Sequence, residues 1–197
     1  MPVVNDQTRE TDTALGRLIV LLGPSGSGKD TLISGARNEF AGLAEVMFVQ
    51  RVITRSADAG CEDHVAMSDA EFDAAIDEGR FALTWAANGL RYGLPRNVEA
   101  HLVAGKVAVV NGSRGAWTVI RQVFPSAVAV EMRVDPDILA QRLRARGRES
   151  ESEIEARLSR AAALATQFEP EIVIDNSGPV ETARGALIDY IRQSITK

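Results

Sequence analysis

The sequence predicts an α/β fold built on a mostly parallel sheet with helices on both faces, and three observations carry that prediction. The first is a continuous apolar run, Arg17 to Leu22 (RLIVLL), ending in a glycine-rich turn. A strand buried on both faces of a parallel sheet reads this way. The second is the alternation of short apolar runs with segments of helical period along the rest of the chain. The third is the turn itself, Gly23-Pro24-Ser25-Gly26-Ser27-Gly28-Lys29, set between a strand and a helix.

After the turn, Thr31 to Phe40 puts Leu32, Ile33, Ala36 and Phe40 on one helical stripe. Val46 to Thr54 reads as a second strand. Ser68 and Glu71 form an S-x-x-E capping box that opens a short acidic helix. Further strands are expected at Phe81 to Ala86, Lys106 to Val110, Ala127 to Val134 and Ile172 to Ile174. The helices between and after them are Ala116 to Val123, Pro136 to Arg146 with proline at its start, Ile154 to Ala165 behind Ser152 and Glu155, and Val180 to Ile195.

A chain of 197 residues suits one well-buried domain, expected over residues 16–197 behind a frayed tail at 1–15. The tail lacks the apolar core and cleavage site of a secretion signal. A net charge of −5 argues against a protein that coats nucleic acid, which needs a surplus of Lys and Arg on one surface. No apolar run reaches the ~20 residues of a membrane-spanning helix, and the single cysteine, Cys61, cannot form an internal disulfide. A cytoplasmic protein without nucleic-acid or membrane partners is the expectation, as monomer or homodimer.

The strand–turn–helix context turns the glycine pattern into a P-loop signature, and the fold class becomes a three-layer P-loop NTPase. Glycines let successive backbone N–H groups converge on a phosphate, the helix N-terminus adds about half a positive charge, and Lys29 reaches the β- and γ-phosphates. Gly23, Pro24, Ser25, Gly26, Ser27, Gly28, Lys29, Asp30 and Thr31 are therefore the expected ATP contacts. One departure stands out: the residue after the lysine is ordinarily Ser or Thr holding Mg²⁺, and here it is Asp30, with Thr31 next. Asp30 either holds the metal through water or complements the helix dipole.

The segments GPSGSGKD, VITRSADAGCEDHVAMSDAEF, FALTWAANGLRYGLP, VVNGSRG and RLRARGRESESEIEARL together resemble the guanylate kinase superfamily over residues 17–195. The resemblance implies a nucleoside monophosphate kinase-like architecture with an acceptor-binding insertion at about 51–95 and a lid at about 142–157. It also implies ATP and Mg²⁺ as cofactors. Arg142, Arg146 and Arg157 match the family's lid arginines; the first two are four residues apart and share a helix face. A solvated basic helix end would carry the same residues.

The acceptor side departs from the family. Arg55 keeps the first phosphate-binding arginine of the TTRxPR segment, but Asp58 stands at the second. His64 replaces a phosphate-binding tyrosine, Thr84 replaces the base-reading glutamate, and VVNGSR replaces the acidic LDID segment. A site that lacks the buried polar partners of its ligand rejects it by ~10⁴ or more. GMP is therefore not expected as acceptor. Within the superfamily the resemblance is strongest to a branch of bacterial phosphonate catabolism whose acceptor is a small phosphorylated sugar, ribose 1,5-bisphosphate.

Arg51, Thr54, Arg55, His64, Tyr92, Asn111 and Arg114 are the expected acceptor-side residues. Arg51 and Arg55 flank Thr54 at a strand end; Asn111 and Arg114 lie just beyond the carboxyl end of a parallel strand, where ligands of such sheets bind. Asn88 and Tyr92 resemble the family's acceptor-side segment. Two other readings stay open: a guanylate-type kinase with an unusual acceptor pocket, and a non-catalytic guanylate-kinase-like binding module. The intact glycines and lysine of the loop favour an enzyme.

Overall fold

The computed structural model describes residues 15–55, 63–87, 89–147, 149–164 and 169–195. Asp58, Cys61, Asn88, Arg148 and residues 1–14 of the expected tail lie outside the described residues.

In chain order the first elements are β1 (Leu18–Leu22), α1 (Lys29–Glu39), β2 (Val46–Val49), β3 (Val52–Ile53), β4 (Val65–Ala66), α2 (Asp69–Asp77), β5 (Phe81–Ala87) and β6 (Leu90–Pro95). There follow α3 (Asn97–Val103), β7 (Val107–Asn111), a 3-10 turn at Arg114–Ala116, α4 (Trp117–Val123), β8 (Ala127–Arg133), α5 (Pro136–Arg146), α6 (Glu151–Leu164), β9 (Ile172–Asp175) and α7 (Val180–Ile195).

Five strands form the main sheet in the order β2-β7-β1-β8-β9, and every pairing is parallel. β1 sits at the centre, and all five of its residues are fully buried. Its alternate side chains supply two cores. Ile19 and Leu21 pack with Leu32 of α1 and Leu187 and Ile191 of α7 on one face, while Leu18, Val20 and Leu22 pack with Leu102 of α3 and Ile120 of α4 on the other. The sheet is thus the middle layer of three, and its central strands leave no face for solvent, which is why they read as unbroken apolar runs.

The expected strand Val46 to Thr54 is two strands. β2 pairs with β7 in the main sheet, and β3 departs into a second, four-stranded sheet of order β4-β3-β6-β5. The break falls at Gln50 and Arg51, and Arg51 is the reason: only 6% exposed, its guanidinium carbon sits 5.1 Å from the Tyr92 ring and 5.9 Å from the Trp85 ring. A cation buried on stacked aromatic faces belongs against the second sheet, where Trp85 of β5 and Tyr92 of β6 stack at 5.3 Å.

Two further boundaries move. α6 opens two residues earlier than its expected cap, because Ser150 and Glu153, rather than Ser152 and Glu155, exchange hydrogen bonds. Ser150 N donates to Glu153 Oε2 at 2.7 Å, and Glu153 N donates to Ser150 Oγ at 3.4 Å. This register buries Ile154 against Leu139 and Leu143 of α5. The 3-10 turn and α4 together cover the helix expected from Ala116, while β6 and α3 had no counterpart among the expected elements. Among the described residues no helix is long and apolar enough to cross a membrane.

Candidate active site

β1 runs straight into the loop, and the loop delivers its chain to α1 through Gly28, whose φ is +88°. Only glycine sits comfortably there. A Cβ at Gly28 would in addition stand 2.5 Å from Nδ2 of Asn176. That amide, 3% exposed, donates to Ser27 O at 2.7 Å and so holds the loop from behind. Gly28 is the N-cap of α1 and brings no side-chain hydrogen bond to it. The first-turn N–H groups are left to a ligand, and the helix dipole favours an anion. Lys29 folds back over the loop, its Nζ donating to Gly23 O and Pro24 O at 2.9 Å each.

The loop forms one wall of a cleft of about 750 Å³ at the carboxyl ends of the main-sheet strands. Gly23, Ser25, Gly26, Gly28, Lys29 and Asp30 line it from the loop, and Arg51, Arg55 and Tyr92 line it from the second sheet. Asn111 contributes from the end of β7, and Arg146 and Arg157 from the α5–α6 region. With Arg160, six cations thus line one cavity, a setting for a highly charged anion. Two of Arg55's nitrogens, Nε and Nη2, are buried and have no hydrogen-bond partner among the described residues. Buried donors without partners are costly, and a phosphate oxygen accepting from them removes that cost.

Other expected residues stand elsewhere. Ser27 is fully buried behind the loop, Thr31 points to solvent, and neither lines the cleft; nor does Pro24, whose carbonyl instead receives Lys29. Arg142 is turned to the protein: its Nη2 donates to Asn176 O at 2.9 Å, on the strand side of α5. Arg114 is committed to a buried ion pair, Nη2 to Glu131 Oε1 at 2.8 Å, while its Nη1 donates to Ala161 O in α6 at 2.9 Å. These two contacts fasten α6 to the sheet. Thr54 Oγ1 accepts from Arg91 N at 2.9 Å, and His64 Nε2 lies 3.3 Å from Arg55 O. Both brace the segment that carries Arg55, and neither lines the cleft.

The cleft also contains residues that the sequence reading passed over. Glu153, Ala156 and Arg160 of α6 line it together with the expected Arg157, at i, i+3, i+7 and i+4, a charged stripe with the spacing ordinarily sought only among apolar residues. Glu149 joins them, its Oε1 3.2 Å from Arg157 Nη2. Hydrogen bonds from the Ser150 N–H and hydroxyl, with Arg157 adding to them, hold Glu153 below the usual carboxylate range. Asn176 and Ser113 were unassigned too. Asn176 acts through a contact 149 residues away in sequence, and no local pattern announces that.

Metal-binding capacity rests on oxygen atoms. Asn111 Nδ2 donates to Asp30 Oδ1 at 2.7 Å, and Asn111 Oδ1 is a buried acceptor with no donor among the described residues. Among those residues no three His, Cys, Asp or Glu side chains converge as a metal cage. One carboxylate and one amide oxygen beside a phosphate loop match the way Mg²⁺ is held, mostly by water and phosphate oxygens.

The chain matches the guanylate kinase family model over residues 15–194. It is 46% identical over 181 residues to the ribose 1,5-bisphosphate phosphokinase of Desulfomicrobium baculatum, covering 91% of this chain and 96% of that protein. The corresponding protein of Pseudomonas paraeruginosa is 48% identical over 177 residues, covering 89% and 95%. Among solved structures, guanylate kinase from Anaplasma phagocytophilum superposes with a TM-score of 0.66 at 21% identity, over 93% of this chain and 88% of that one. At that identity the superposition speaks for the fold.

Proposed function

This chain belongs to the guanylate kinase family, and we propose that it transfers the γ-phosphoryl group of ATP to ribose 1,5-bisphosphate, giving ADP and 5-phosphoribosyl 1-diphosphate. The observation that carries the reading is the single cleft in which a phosphate loop with Lys29 faces Arg51 and Arg55, with Arg146 and Arg157 along a third side. Relatives at 46% and 48% identity carry the same activity in their names. The family's base-reading carboxylates are replaced: Thr84 stands in β5 at the place of the glutamate, and VVNGSR at the place of the acidic segment.

An oxygen of the acceptor's C1 phosphate attacks the γ-phosphorus, a new P–O bond forms, and the bond to the bridging oxygen of ADP breaks. With a second phosphate pKa near ~6, that attacking oxygen is already ionised at neutral pH, so no side chain has to remove a proton. The chain's contribution is position and charge. Loop amides and Lys29 hold the β- and γ-phosphates, Arg146 and Arg157 face the group in transit, and Arg51 and Arg55 hold the acceptor's phosphate. Arg142 works indirectly, tying α5 to the residue that supports the loop. Mg²⁺ bound with ATP would neutralise charge on the β- and γ-phosphates, and Asp30 would hold it through water. A cytoplasmic setting suits a chain with one cysteine.

The test is ATP consumption with ribose 1,5-bisphosphate and, separately, with GMP. Turnover with the sugar exceeding that with GMP by 10³ or more is expected, on the scale of a site that lacks partners for a buried base. Preference for GMP would replace this reading with that of a guanylate kinase, and no turnover with either would revive the non-catalytic binding module.

A further inference from the structure

A carboxylate only accepts hydrogen bonds, so the 2.7 Å contact between Asp30 Oδ1 and the Asn111 amide fixes the amide with its NH₂ toward Asp30. Its carbonyl oxygen then occupies the other edge. Asn111 is 8% exposed, that oxygen is buried without a donor among the described residues, and both Asn111 and Asp30 line the cleft. Asp30 sits one residue beyond Lys29, in the first turn of a helix that Gly28 leaves without a side-chain cap.

We propose that Asp30 and Asn111 work as one unit that grips the water shell of the nucleotide's divalent cation, replacing the hydroxyl that P-loops ordinarily place after their lysine. The inference rests on the kinase reading and assigns Asn111 to the nucleotide side of the cleft rather than the acceptor side. A hydrated cation presents only donors, through the waters it keeps, and the pair presents acceptors: the second carboxylate oxygen of Asp30 and Asn111 Oδ1. An amide at position 111 also suits the electrostatics. It orients Asp30 without setting a second negative charge before the polyphosphate, as an aspartate there would.

Calorimetry of ADP binding to the full chain, with Mg²⁺ and with the metal chelated, tests this. Asp30→Asn keeps the shape and removes the charge. It is expected to weaken Mg·ADP binding by about 10-fold or more, on the scale of losing an outer-shell metal partner, while metal-free ADP binds as well or better because a repulsive charge has gone. Asn111→Ala is expected to lower the same metal-dependent advantage by a smaller factor, and the relaxation signal of Mn²⁺ in the Mn·ADP complex is expected to change in both variants. Equal losses with and without metal would overturn the inference, as would an Asn111→Ala effect confined to the acceptor KM. If Asn111→Ala does not fold, Asp30→Asn at its half-exposed position decides alone. A wild-type chain that binds no ADP under either condition overturns the kinase reading, and this inference with it.

Discussion

At the start of α2, Ser68 Oγ accepts from Glu71 N while Glu71 Oε2 accepts from Ser68 N at 2.7 Å, so the helix closes its own end. At the start of α5, Asp135 does the same for Asp137 N and Ile138 N. At the start of α1, Gly28 brings no side chain, and Lys29 folds over the loop onto two carbonyls. The first two ends are finished by the chain, and the third is finished only by something bound. Against α2, α5 and α6, whose N-termini are capped by side chains, an uncapped N-terminus beside converging cations marks where a free helix dipole is worth more than a satisfied one. The comparison predicts that changes at α1 affect turnover and spare stability, and that changes at the capped ends do the reverse.

Lys29→Ala is the strongest test. Nζ is bonded to loop carbonyls rather than to the core, so the variant is expected to fold with a nearly unchanged melting temperature. Its kcat is expected to fall by about 10³, about 4 kcal/mol of transition-state stabilisation, the scale of removing a preorganised charge from the reacting group. Initial rates beside a melting curve measure both. Unchanged turnover would remove the loop from the chemistry.

Arg114→Ala inverts the pattern. Arg114 is 7% exposed and Glu131, its partner, 2%, so the variant strands a buried carboxylate with Arg133 as its remaining partner. A stability loss of about 3 kcal/mol is expected from chemical denaturation. Loss of the bond to Ala161 O also loosens α6, so kcat is expected to fall while the acceptor KM stays within about twofold. A large rise in that KM would show Arg114 touching the acceptor directly. Arg55→Ala is expected to act on KM instead. Its two buried unpartnered nitrogens each lack only an anion, and removing them is expected to raise the acceptor KM about 10- to 100-fold, or ~1.5–3 kcal/mol, with ATP affinity held.

What could be read beforehand follows from how local the physics is. β1 and the phosphate loop were legible because burial on both faces demands an apolar run, and phosphate binding demands glycines beside a lysine. α5 and α7 fall on their expected bounds because Pro136 starts one and amphipathic spacing marks the other. The second sheet was less legible: β4 is two exposed residues, and β3 is separated from β2 only by Gln50 and a buried arginine, a residue type that ordinarily signals surface. The partners of Arg114 and Arg142, Glu131 within an apolar strand and the Asn176 carbonyl, were not legible because they come from distant parts of the chain. The charged stripe of α6 was visible in principle, as Glu153, Arg157 and Arg160 repeat at helical spacing.

Ser68→Ala makes the smallest change and isolates the capped end. Ser68 accepts from Glu71 N, and the variant removes that bond while leaving Glu71's bond to the backbone N–H. A loss of ~1 kcal/mol in denaturation is expected, with kcat and both KM values unchanged, since α2 does not line the cleft. The end is also pH-dependent. Hydrogen bonds from the Ser68 backbone, then from its side chain, hold Glu71 below its ordinary value of 4.5. Its stabilising share is therefore complete above about pH 4.5 and fades as acid carries the pH down through the lowered folded value. Melting temperatures of wild type and Ser68→Ala are expected to differ at pH 7 and converge on acidification, because the variant has already lost part of the depression. A difference that widens towards acid would mean that Ser68 supports α2 by some route other than its bonds with Glu71.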